Sequence, residues 1–308
     1  MKSDESHQQQ VLVSSPEWKL VGRIKTFATS VRMLERNAEE LMRLLRYLTT
    51  DARSILLMAA GYKEERDKYL EEALRLLHNF LASVAMVIDH ARVLYRELYE
   101  PRDLFGDYEP EVRRRFTDDP LSRFVRELRN YFLHRLLPVV LYIEDEHGSR
   151  TIALRKVDLL QHDNWPPQAR KYLESAPDDV DITVLVEGYM SNVRDFYRWF
   201  AERQEEIHAE ALVSVQKRLD EIAKARGPRM LASLAAGIEA IERGTEDVRA
   251  VLSEWFDPVK EPGEFDALLD EVPAWTEHVL YRLEQRYAAV PKELADRFLR
   301  AASRSRAP

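Results

Sequence analysis

Arg129, Asn130 and His134 are the residues of this sequence whose types and spacing best suit chemistry. They lie in Asp119-Pro120-Leu-Ser-Arg-Phe-Val-Arg-Glu-Leu-Arg129-Asn130-Tyr-Phe-Leu-His134-Arg135-Leu-Leu137. If this stretch is helical, Asn130 and His134 are i,i+4 neighbours, and Arg123, Arg126 and Arg129 share their side of the cylinder. A guanidinium grips phosphate oxygens in a planar, permanently charged fork, and an imidazole moves protons near neutral pH. An amide beside them can orient the imidazole or hold a 2′-hydroxyl. Together these groups suit a phosphodiester, and the reaction they suggest needs no metal.

A helix has to present them. Asp119 followed by Pro120 is a start signal: an oxygen acceptor for an exposed N–H, then a ring whose missing N–H costs nothing at the first helical position. Phe124, Leu128, Tyr131 and Phe132 fall opposite the arginines and predict a core face. Pro138 ends the helix. Residues 112–135 hold seven Arg against Asp118, Asp119 and Glu127. Arg113, Arg114 and Arg115, just upstream, could lead a polynucleotide toward the helix, and solvated charge is the competing reading.

The Arg-x4-His spacing recurs at Arg203/His208, and a looser one at Arg155/His162, as chance would give; only the first pair has Asn directly after the Arg. Arg129-Asn130-x3-His134 resembles the Arg-polar-x3–5-His signature of the HEPN superfamily of helical nucleotide-binding domains. That resemblance implies an antiparallel helix pair carrying the motif, in a homodimer that brings two motif helices together on RNA. It also implies metal-independent endoribonuclease activity, often in defence or toxin–antitoxin settings, although other members are non-catalytic binding or scaffold domains. In the implied mechanism Arg129, Asn130 and His134 are catalytic, and Arg126, with Arg123 and Arg113–Arg115, contacts the RNA backbone. No cofactor is expected. A scaffold that binds a protein partner and a nucleotide-binding sensor are the alternatives.

Composition narrows the setting. The chain has 308 residues, only 9 Gly, and no Cys, so disulfides, thiolate metal sites and cysteine nucleophiles are excluded. Its net charge of −8 argues against a general nucleic-acid coat. No apolar run approaches the roughly 20 residues of a membrane helix, and no signal-peptide pattern opens the chain, so a cytoplasmic, membrane-free protein is expected.

The expected fold is mainly α: a HEPN-like helical bundle with one small β-hairpin and a C-terminal helical extension. Residues 1–14 read as a loose leader and 15–226 as the main domain. Val21, Phe27, Val31, Leu34, Ala38, Leu41, Leu45 and Leu48 predict a long one-sided helix, interrupted near Thr49-Thr50-Asp51. Leu70, Ala73, Leu77, Phe80, Leu81, Val84, Ile88 and Ala91 predict a second, from Lys63 to Tyr99, as partner of the motif helix. Its Asp89, His90, Arg92, Arg96 and Glu97 could support the motif. A short helix is expected at 110–116. Val139–Val157 predicts a β-hairpin turning at Gly148, with His147, His162 and Asp163 as scattered loop residues. Val180 to about Arg226 predicts a long helix with Tyr189, Phe196, Tyr197, Trp199 and Phe200 in a core or interface. Gly227-Pro228 reads as a boundary, followed by a helical bundle at 227–303 with helices near 229–256, 264–288 and from Lys292, and a tail at 304–308.

Overall fold

The computed structural model describes residues 2–58, 62–135, 137–177, 179–245 and 291–304. Over these the fold is mainly α with one three-stranded antiparallel sheet, as composition and periodicity predict. In chain order come α1 (Lys2–Ser14), α2 (Pro16–Thr50), α3 (Ala52–Met58) and α4 (Lys63–Leu98). A 3-10 turn (Glu100–Arg102), α5 (Tyr108–Val112) and a π-helical turn (Arg113–Thr117) lead to the motif helix α6 (Pro120–His134). Then follow β1 (Val140–Glu144), β2 (Arg150–Arg155), α7 (Lys156–Leu160), α8 (Pro167–Ser175), β3 (Asp179–Asp181) and α9 (Ile182–Glu242), and a helix occupies Lys292–Arg304. No described helix is long and apolar enough to cross a membrane.

Two compact units divide the chain: Leu20–Ala209, and Met1–Lys19 with Glu210–Pro308. In the first, the predicted stripes form the core. Leu34, Leu41, Leu45 and Leu48 of α2 and Leu77, Phe80, Leu81 and Val84 of α4 are buried with Phe124, Val125 and Leu128 of α6. Each such side chain contributes roughly 1.5–3 kcal/mol by leaving water. The predicted interruption of the first long helix lies at Asp51, whose Oδ1 accepts the Arg53 N–H at 2.8 Å and restarts the chain as α3. Tyr189, Phe196 and Phe200 of α9 are core, as expected, around Tyr99, Phe105 and Tyr108; Phe105 and Phe200 stack at 5.2 Å. Burial pushes the Tyr99 hydroxyl up to about 12.

The hairpin pairs Val140 with Leu154 through Glu144 with Arg150. Asp145 Oδ1 accepts from the His147 and Ser149 N–H groups, and Gly148 takes φ 76°, a backbone region that favours glycine. The third strand, β3, has no sequence signature because Val180 is its sole apolar residue; pairing with β2 at Ala153–Arg155 creates it. Its two aspartates do other work. Asp179 Oδ1 accepts the Lys156 N–H at 3.1 Å, and Asp181 Oδ1 accepts the Thr183 N–H at 2.7 Å, which caps α9.

Three expectations about boundaries are corrected. Residues 2–14, read as a loose leader, are helical, and Leu12 is buried. The expected helix at 110–116 splits into α5 and the π-helical turn. The Gly227-Pro228 boundary is absent: α9 runs through Pro228, because Leu234, Ile238 and Ile241 continue a buried apolar face beyond it. The departure from helical geometry is at His208 instead (φ −111°, ψ 16°), one residue before the unit boundary. In the second unit Val215, Ile222, Phe298 and Ala301 are also buried, and Arg297 pairs with Glu242 at 2.7 Å. The bundle expected beyond residue 245, including the helix at 264–288, and the tail from 305 lie outside the described residues; the helix from Lys292 is present and reaches Arg304.

Candidate phosphate-binding site on the motif helix

The N-terminus of α6 is fixed from two directions. Asp119 Oδ2 accepts the Ser122 N–H at 2.8 Å, the cap that the sequence predicts. Asn192, from α9, donates from Nδ2 to the same oxygen and to Ser122 Oγ, each at 3.1 Å. Phe124 and Leu128 are fully buried, Phe124 lying against Trp165 and Tyr172, and Tyr131 stacks on Trp165 at 5.7 Å. α6 packs against α4, as expected, and more extensively against α8, whose role the sequence does not signal. Core contact on this face obliges the arginines to the other.

On that other face the polar side chains form a connected row. Arg123 pairs with Glu127 at 2.9 Å, Asn130 Nδ2 donates to Glu127 Oε2 at 3.0 Å, and Arg129 Nη1 donates to Asn130 Oδ1 at 3.3 Å. Asn130 is therefore engaged by Glu127 and Arg129, whereas the sequence suggests it as an orienting group for His134. Glu127 was not singled out from the sequence. Its signal was there: i,i+4 from Arg123 and i,i+3 to Asn130, on one face.

Between α4 and α6 lies a cleft of about 120 Å³, lined by Val84, Ala85, Ile88, Asp89 and Arg92 from α4 and by Arg126, Arg129 and Asn130 from α6. Val84 and Ile88 give it an apolar floor, and the arginines give it a cationic rim. Arg126 makes no hydrogen bond or ion pair with any described residue. Burial holds its guanidinium below its ordinary pKa, the like charges of Arg92 and Arg123 push the same way, and the carboxylates of Glu127 and Asp89 offset only part of this. Arg92 approaches Asp89 only to 3.7 Å, and the Asp89 side chain is 72 % exposed. Among the described residues Arg129 has only the neutral amide oxygen of Asn130. A charge placed where burial and like charges both disfavour it is the environment that an anion relieves.

His134, the last residue of α6, is exposed, does not line the cleft, and has no hydrogen bond or ion pair with any described residue. It stands two helical turns from Arg126, about 12 Å along the axis at 1.5 Å per residue. Exposed Leu133, Leu137 and Val139 adjoin it in the chain.

The remaining candidates are dispersed. Arg113 is exposed; Arg114 and Arg115 both pair with Glu111, and the Arg115 guanidinium lies 5.9 Å over the Trp199 ring. Of the proposed supporting residues of α4, Asp89 and Arg92 reach the cleft, whereas His90 Nδ1 meets Ser30 Oγ at 2.7 Å and Glu97 pairs with Arg23 at 2.7 Å. Arg203 and His208 are engaged separately, by Glu206 and Asp107 and by the Tyr99 hydroxyl. Arg155 pairs with Asp158. His162, read from sequence as a loop residue, is packed edge-on against Tyr131 of α6 and Trp165; burial, then Arg135, holds its imidazole below the ordinary range. Among the described residues no cluster of three His, Asp or Glu could hold a metal ion.

Comparison with known proteins returns nothing similar: no family model, no curated protein and no solved structure matches the chain. What the site can do rests on its own geometry.

Proposed function

We propose that the protein binds RNA through its phosphates on the α4–α6 face and cleaves it without a metal, as HEPN-type endoribonucleases do. The observation that carries this reading is the cleft itself, where Arg126 and Arg129 form no ion pair with a carboxylate among the described residues. In the reaction, the 2′-hydroxyl attacks the adjacent phosphorus, and the bond to the 5′-oxygen of the next nucleotide breaks. A 2′,3′-cyclic phosphate and a 5′-hydroxyl result. His134 takes or gives the proton, a role typically worth ~10²–10⁴ in rate. Arg129 holds the phosphate and stabilises the charge that develops on its oxygens. Asn130, bonded to Glu127 and Arg129, positions the guanidinium.

His134 has no hydrogen-bond or ion-pair partner among the described residues to set its orientation, which favours a site completed by a second copy meeting it at the C-terminal end of α6. The homodimer, the RNA partner and a defence role belong to this same proposal.

The test is cleavage of structured RNA in EDTA by the wild type, His134→Ala and Arg129→Ala. Cyclic phosphate ends made by the wild type and lost in both folded variants are expected. Cleavage that persists in His134→Ala refutes the assignment. A second reading, a nucleotide-binding sensor, rests on the same arginine-lined cleft, which suits the phosphate of a free nucleotide equally well, and a thermal shift by nucleotides without RNA cleavage would establish it.

A further inference from the structure

The cleft differs from a surface that tracks a polynucleotide backbone. At about 120 Å³ it is well below the roughly 300–1,000 Å³ of pockets that take whole small ligands, so a single phosphate group with its ester oxygen is what fits inside. Its charge also exceeds what one backbone phosphate supplies. Arg92, Arg126 and Arg129 line it against Asp89 alone, leaving two net positive charges. A backbone phosphodiester carries a single negative charge, whereas a phosphate monoester carries about −1.5 to −2 at pH 7 and offers three terminal oxygens. Arg126 has no hydrogen-bond or ion-pair partner among the described residues, so its donors, with those of Arg92 beside it, are available to such oxygens. Val84, Ala85 and Ile88 supply the apolar part of its lining, beside which the ester end of the ligand would rest.

We infer that this cleft is a receptor for a terminal phosphate monoester, the 5′-phosphate of an RNA end. The inference rests on the reading of the α4–α6 face as a phosphate site, and it assigns Arg126 and Arg92 to end recognition, separate from the chemistry at His134. The roughly 12 Å of helix between Arg126 and His134 then sets the cleaved bond a short distance from the anchored end.

Equilibrium binding with an uncleavable probe separates this from the ribonuclease reading. Short 2′-O-methyl oligonucleotides of one sequence, with a 5′-phosphate or a 5′-hydroxyl, are titrated by fluorescence anisotropy beside the matching nucleoside 5′-monophosphate. The phosphorylated oligonucleotide is expected to bind at least tenfold tighter than its hydroxyl counterpart, the size of losing one charge-assisted contact. Arg126→Gln should abolish that preference, bringing the two oligonucleotides within about threefold of each other whatever it does to backbone affinity. Arg92→Gln, at a more exposed position, should reduce it and serves if Arg126→Gln fails to fold. Equal binding of the two oligonucleotides, or a preference that survives in both folded variants, would overturn the inference. If the free mononucleotide binds as tightly as the phosphorylated oligonucleotide, the RNA end is refuted as the ligand and the monoester pocket stands. Absence of RNA cleavage in EDTA would count against the ribonuclease alone.

Discussion

Replacing Asp119 by Ala should loosen the motif helix by an amount that the structure lets one work out. The carboxylate serves two donors through one oxygen: the Ser122 N–H at 2.8 Å and Asn192 Nδ2 at 3.1 Å. Loss of the cap costs about 1 kcal/mol. The charge-assisted bond from Asn192 would cost roughly 1.5–3 kcal/mol if nothing replaced it, and the lower figure applies because Asn192 keeps Ser122 Oγ at 3.1 Å. The variant should thus lose about 2–3 kcal/mol, which lowers Tm by roughly 5–10 °C for a unit of this size. Asp119→Asn, which preserves a capping oxygen, should lose less than half as much. Asn192→Ala should be non-additive with Asp119→Ala by about 1 kcal/mol in a double-mutant cycle, because the two side chains share a bond. Urea and thermal melts followed by circular dichroism supply the four free energies and the Tm values. A fall in Tm below about 2 °C for Asp119→Ala, or strict additivity, would refute the claim that α9 holds the start of the motif helix.

His134→Ala should leave stability within about 0.5 kcal/mol in the same melts, since the side chain is exposed and bonded to nothing described; a larger loss would place the imidazole in a structural role. Tyr99→Phe removes the oxygen that accepts from buried Gln204 Nε2 at 2.8 Å, and the stranded amide should cost about 1–3 kcal/mol by urea denaturation. Gly188 has no room for a large side chain, because a Cβ there would lie 2.6 Å from Leu121 Cδ2. Gly188→Ala should be nearly neutral, the gain in helix propensity offsetting a shift of Leu121, whereas Gly188→Val should cost about 1–3 kcal/mol in thermal melts. Burial holds the imidazoles of His162 and His208 below their ordinary range. The unfolded chain therefore takes up protons first as pH falls through about 6.5, so stability should decline between pH 7.5 and 5.5. The His162→Gln/His208→Gln variant should show a shallower decline in urea melts at those pH values.

The long helices were readable because their apolar residues recur at helical spacing and every predicted stripe found a core to enter. The Asp119-Pro120 start was readable because a cap is a local bond between near neighbours. β3 was hidden for the opposite reason: three residues with one valine become a strand only when β2 offers them an open edge. Pro228 misled because a rule about a local backbone donor was outweighed by the buried face on either side of it. At the site, residue types and the shared face of Arg126, Arg129 and Asn130 were legible from the 3.6-residue period. The α4 side of the cleft was less so, because Arg92 comes from a helix whose placement depends on the whole core. Nothing in the spacing of Asn130 and His134 announces that Glu127 engages the amide first.

The clamp between α6 and α9 also orders events in time. Asn192 lies 73 residues after Asp119, so a ribosome adding about 5–20 residues per second makes the motif helix several seconds before the side chain that secures its start. α4 and α6 both precede that moment, and the cleft they line reaches its final alignment only once α9 has been made. Truncation between residues 135 and 191 therefore yields a chain that contains every candidate catalytic residue and lacks the tie that holds their helix in place.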